Sequence, residues 1–84
     1  MTEQEALRIT KEEKLEHVNW YDDKHLRMNQ VVIRKCDEGW EIYITDKRAG
    51  LLDGTEQKYS NSEDAYDALI DKARYMEEFL SLWA

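Results

Sequence analysis

At 84 residues the chain has room for one domain and one small core, burying roughly 60 to 65% of the surface that the unfolded chain exposes. Apolar content of 42%, with three Trp and five Tyr, is too rich for a disordered polymer despite 37% charged residues. Nineteen acids against 12 bases give a formal net charge of −7, a field that repels phosphate backbones and favours basic partners, so nucleic acid is not an expected ligand.

Cys36 is the only cysteine, which excludes an internal disulfide and gives no sign of an oxidising compartment. The opening MTEQEALRITKEEK lacks the apolar core of a signal peptide, and no apolar run approaches the ~18 residues of a membrane span. A cytoplasmic protein with no membrane partner is expected. No proline, low-complexity segment or repeat marks a linker, so residues 1–84 read as a single domain.

In chain order, Thr2 with Glu5 and Thr10 with Glu13 have capping-box spacing, which predicts two short helices or one broken helix over about residues 3 to 19. Leu7, Leu15 and Val18 supply a thin apolar stripe. The following NWYDDKHLRMNQ has no clear period, and Trp20 and Tyr21 are expected as lids on the core.

VVIRKC and WEIYITD are rich in β-branched and aromatic residues and flank the turn signal DEG, so they read as a hairpin. Trp40, Ile42 and Ile44 share one face; Glu41, Tyr43 and Thr45 share the other. A two-residue turn at Glu38-Gly39 puts Val31 and Ile33 on the tryptophan face and Arg34 opposite Tyr43 on the open face. A three-residue loop flips the first strand. The former register is preferred because it leaves Arg34 in water. After a loop closed by Gly50 and Gly54, TEQKYS is expected as a shorter third strand, with Tyr59 its main apolar contribution.

The final element is a helix capped by Ser62, with Glu63 and Asp64 in the first turn where the helix dipole favours acids. Tyr66, Leu69, Ala73, Met76, Leu80 and Trp83 recur at spacings of three and four, and Ile70 and Phe79 widen the stripe. The fold class is therefore α+β: an N-terminal helical segment, a three-stranded antiparallel meander, and a long C-terminal helix on one sheet face. The other face is left available to a partner.

Catalytic constellations are sparse. His17 and His25 near Asp22 and Asp23 match no compact ligand motif, so no metal is expected. Cys36 beside Lys35 reads as a strand thiol, and three glycines at turns leave no phosphate-cradling loop. An enzyme and a cofactor are not expected. The carboxylates Asp37, Glu38, Glu41, Asp46, Asp53 and Glu56 on the hairpin and its loops serve solubility or present negative potential to a basic partner. Tyr43 and Arg48 are the expected anchors of such a contact, since these residue types dominate interface hot spots. With Arg34, Glu41, Thr45 and Asp46 they form the candidate partner-binding set.

The order helix, three strands, helix also describes double-stranded RNA-binding domains. Those domains place lysines at the start of their last helix, whereas NSEDAYD stands there in this chain, and that charge argues against the reading.

The stretch from QVVIRKCDEGWEIYITDKRAG through KYSNSEDAYDALI resembles a small α+β family of immunity proteins from bacterial polymorphic toxin systems. The resemblance rests on Val31, Val32 and Ile33; on Trp40, Tyr43, Thr45, Asp46, Arg48 and Ala49; and on Tyr59, Ala65 and Leu69. Lys47 stands where that pattern has an acid, MEEFLSLWA extends its helix, and the first thirty residues match poorly. The resemblance implies a bacterial inhibitor that blocks a cognate toxin by covering its active site, with Asp46 and Arg48 as binding groups. Two other readings stay open: a homodimeric regulatory or structural protein, joined through the open sheet face or the helix end at Leu82 and Trp83, and an acidic inhibitor that mimics nucleic acid.

Overall fold

The structure, a computed structural model, describes residues 1–22, 24–52 and 54–82. Asp23 and Asp53, among the acids singled out above, and Trp83, the last position of the helical stripe, lie outside the described residues. The elements run α1 (Glu3–Glu12), β1 (Val18–Trp20), β2 (Val31–Cys36), β3 (Gly39–Ile44), β4 (Gln57–Tyr59) and α2 (Ser62–Ser81).

The first capping signal works as expected: the Thr2 hydroxyl accepts from Glu5 N, and Glu3 and Glu5 sit in the first turn. The second does not start another helix. Thr10 lies inside α1 and donates its hydroxyl to Ala6 O at 2.7 Å, a bond that satisfies it without a new N-terminus. The chain leaves α1 through Lys14 at φ 55, and Leu15 turns into the core.

Among the described residues the sheet has four strands in the order β1-β2-β3-β4, not three. The expected antiparallel meander is present as β2, β3 and β4, but β1 joins its edge in parallel, with Val18, Asn19 and Trp20 opposite Val31, Val32 and Ile33. Three residues are too few to show a period of two, so in the sequence β1 is divided between the expected helix and an aperiodic run. Neighbouring parallel strands usually need a crossover helix. Here the described residues of the return, 21–22 and 24–30, include no helix: Tyr21 and Asn29 take positive φ, and Asn19 exchanges bonds with the Asp22 backbone while its Nδ2 also donates to Gln30 Oε1.

The hairpin turn is Asp37-Glu38, with Cys36 opposite Gly39, so the register differs by two residues from the expected one. A two-residue slip preserves the faces. Val31 and Ile33 share the side of Trp40, Ile42 and Ile44, while Arg34 lies opposite Glu41 rather than Tyr43. Gly39 is required by close approach. Its φ is +131°, and an added Cβ would lie 2.4 Å from Tyr59 O.

Asn61, not Ser62, caps α2, its Oδ1 accepting from Asp64 N at 2.8 Å. Ala65, Tyr66, Leu69, Ile70, Ala73 and Met76 are buried against Val31, Ile33 and Ile42, with Ala6 and Leu15 closing the same core. Full burial of a side chain such as Leu69 or Ile70 contributes roughly 1.5–3 kcal/mol. α1 packs along α2, and α2 crosses β2, β3 and β4. Phe79 does not join the stripe; it is 45% exposed on the flank of α2. Among the described residues no helix is long and apolar enough to cross a membrane.

The face away from α2 is not an open surface throughout. Val32, Tyr43 and Thr45 are buried at 0, 2 and 1% exposure, outside the cluster that packs on α2. The Thr45 hydroxyl accepts from Gln30 N and donates to Arg27 O, both at 2.7 Å, tying the 21–30 segment to the end of β3.

Candidate functional site

The six candidate contact residues fall into two groups. Arg34, Glu41 and Tyr43 stand together on the sheet face away from α2, where the Arg34 guanidinium lies 5.0 Å from the centre of the Tyr43 ring. Arg34 Nε donates to Glu41 Oε1 at 2.6 Å, and Nη2 pairs with the same oxygen. The Glu41 side chain is only 7% exposed and that of Arg34 is 37% exposed. On the next strand Lys58 lies opposite Glu41 and binds Glu38, whose carboxylate raises the lysine pKa above its ordinary value. Alternating charges across three strands thus form a ladder whose partners are within the chain.

Thr45, Asp46 and Arg48 form the second group, where β3 runs into a loop. Asp46 Oδ1 accepts from Arg48 N at 2.8 Å and from Gly50 N at 3.1 Å, while its backbone N–H donates to Gly50 O and its carbonyl accepts from Ala49 N. The carboxylate therefore closes its own turn, with Ala49 at φ 60 completing the reversal. Those two amide bonds hold the Asp46 pKa below its ordinary 3.8, and the side chain is ionised at neutral pH. Lys47 and Arg48 project from the corner as exposed cations, while Thr45 is sealed beneath it.

Beside this turn opens a groove of about 320 Å³, between the corner of β3 and the flank of α2. Ile44 and Met76 belong to its floor; Tyr75 and Phe79 come from the helix, Leu52 from the loop, and Asp46 and Lys47 from the turn. Tyr75, Phe79 and Leu52 are 66, 45 and 43% exposed, and Leu82 farther along α2 is 78% exposed. Apolar surface gathered in a hollow and rimmed by charge marks protein-contact sites more often than scattered apolar residues do.

Sequence reasoning reached Asp46 and Arg48 but missed the groove beside them. Spacing alone puts Phe79 in the buried stripe and gives Tyr75 and Leu52 no place in the expected site. The available signal was the i, i+4 aromatic pair Tyr75 and Phe79, offset from the line through Leu69, Ala73, Met76 and Leu80.

A second cleft of about 580 Å³ lies at the starts of the two helices, lined by Glu3, Tyr21, Lys35, Trp40, Glu63 and Tyr66 among others. Its polar groups largely engage one another. The Tyr21 and Tyr66 hydroxyls are 2.6 Å apart, with burial raising the Tyr66 pKa, and Lys35 Nζ sits 5.3 Å from the centre of the Trp40 ring. Trp40 Nε1 is buried without a partner among the described residues. Acids and a cation share the walls, so this cleft presents no single sign of charge.

The histidines go to separate partners. His17 Nδ1 lies 2.6 Å from Glu77 Oε1 and His25 Nδ1 lies 2.8 Å from Asp22 Oδ1. Among the described residues no three His, Cys, Asp or Glu converge on a point that would hold a metal ion. No protein-family model, curated protein or solved structure matches the chain.

Proposed function

We propose that this chain is an immunity protein: a cytoplasmic bacterial inhibitor that binds a cognate toxin domain and neutralises it by covering the active site. The observation that carries the reading is the coincidence of two features at one corner. The charged strand end, in which Asp46 and Arg48 carry the resemblance to the immunity family, borders the apolar groove of Leu52, Tyr75 and Phe79. Aromatic and arginine side chains around an apolar hollow are the usual source of binding energy, and a net charge of −7 accelerates encounter with a basic partner. In this reading the protein is a binding partner, not an enzyme, and uses no cofactor.

The test pairs the purified chain with the C-terminal domain encoded by the adjacent gene, by calorimetry and by co-expression in cells that the domain kills. One-to-one binding with rescue of growth is the expected result, and Asp46→Ala with Arg48→Ala should weaken it by ~2 kcal/mol or more. Tight binding that ignores the double variant moves the contact away from this corner. No binding at high micromolar concentration sinks the immunity reading for that pair. A homodimeric regulatory protein is the second reading, favoured by the exposed Phe79 and Leu82 on α2. A mass that doubles with concentration in sedimentation would select it.

A further inference from the structure

We infer that the groove beside Tyr75 and Phe79 receives a positively charged amphipathic helix from a partner protein. This rests on the protein-binding reading above and specifies what enters the site.

The shape argues for a helix rather than a strand. At the groove Ile44 has Val31 of β2 opposite it on one side, and on the other its carbonyl accepts from Leu52 N and its N–H donates to Thr55 Oγ1, so no free ladder is offered there for an added strand. What the groove presents is side-chain surface. A smaller hollow shares Asn29, Lys47 and Phe79 with it and reaches Leu80, so the depression continues along α2. A volume of about 320 Å³ admits one or two large apolar side chains, which a helix supplies from one face at i and i+3 or i+4.

The charge argues for a basic occupant. α2 carries six acids against two bases, and one of those bases, Arg74, is paired with Glu13. Asp71 and Glu78 stand one turn to either side of Tyr75, at i−4 and i+3, and the ionised Asp46 lies across the groove. Lys47, Arg48 and Lys72 are the nearby cations and offset the three acids at the groove itself, so the sign of the field there is set by the acidic excess of α2 and by the net charge of −7. A second copy of the chain would bring another −7 to the contact, which opposes it as the occupant.

The probe is a Leu/Lys peptide patterned as an amphipathic helix, followed by fluorescence anisotropy at physiological ionic strength. Its controls are a scrambled peptide of the same composition and a Leu/Glu peptide of the same pattern. Micromolar binding is expected, with amide shift changes confined to residues 44–52 and 75–82. Both controls, and the variant Tyr75→Ser with Phe79→Ser, should bind at least about tenfold more weakly. Leu52→Ser, on the opposite wall and outside any helix, should weaken binding in the same direction, with circular dichroism verifying that each variant is folded. Equal binding of the scrambled peptide, or binding untouched by all three substitutions, overturns the inference and leaves a non-specific charge effect. Concentration-dependent dimerisation abolished by Phe79→Ser overturns it in favour of a second copy. Toxin neutralisation that survives while the patterned peptide fails to bind would reject the helix and keep the immunity reading; loss of both rejects the two together.

Discussion

Arg34 and Glu41 face one another directly across β2 and β3, and the carboxylate that the arginine holds is nearly sealed from solvent. A buried charge stripped of its partner is costly, whereas the pair itself adds little over apolar residues of similar size. Arg34→Met is therefore expected to destabilise the fold by about 1–3 kcal/mol, discounted from the fully buried case because water reaches the guanidinium. Arg34→Met combined with Glu41→Leu should recover much of that loss. Urea denaturation of the four members of the cycle checks it, and strictly additive losses would refute the coupling.

Thr45 is predicted to act on the fold before it acts on any partner. Its hydroxyl satisfies Gln30 N and Arg27 O at once, in a site with 1% exposure. Thr45→Val preserves the shape and leaves both groups without that partner, at an expected cost of about 1–3 kcal/mol. A thermal midpoint equal to the wild type would show that the 21–30 segment does not depend on this bond.

Gly39→Ala is expected to lose at least about 2 kcal/mol, from a conformation that L residues rarely adopt and from contact with the Tyr59 carbonyl. Gly54→Ala also meets a positive φ, +87°, but has open space around it, so it should cost less. Chemical denaturation of the two variants separates strain from collision. A larger loss at Gly54 would contradict the packing of β4 on the hairpin turn.

Acid should loosen the Asp46 turn. The folded pKa lies below 3.8, so ionised Asp46 contributes stability above that value, and the contribution disappears as pH falls through the folded pKa. Carbon-detected NMR titration of the carboxyl should give a midpoint under 3.8, with the Arg48 and Gly50 amide shifts following it. At neutral pH Asp46→Ala should move both amide signals, and Asp46→Asn, which keeps an acceptor oxygen, should move them less. A normal carboxylate titration with unmoved amides would mean that the side chain does not close the turn.

The apolar stripe of α2 could be read from spacing because a helix repeats its buried face every three or four residues, and Leu69, Ala73 and Met76 are buried as expected. The alternation in β2 and β3 likewise assigned the faces. Face assignment survived a two-residue error in register because the side-chain period is itself two. The turn glycine misled the register reading. Gly39 is needed for the approach of Tyr59, a residue far along the chain, and nothing local distinguishes that need from a turn.

By itself the sequence determined the α+β class, the charge, the first helix cap and the core face of the last helix, because each depends on local composition or period. Only the tertiary structure decided that β1 joins in parallel, that Tyr43 and Thr45 are buried, and that Asp46, Leu52, Tyr75 and Phe79 surround one groove. Those relationships join segments distant in the chain, and side-chain exposure depends on what the rest of the fold lays over it.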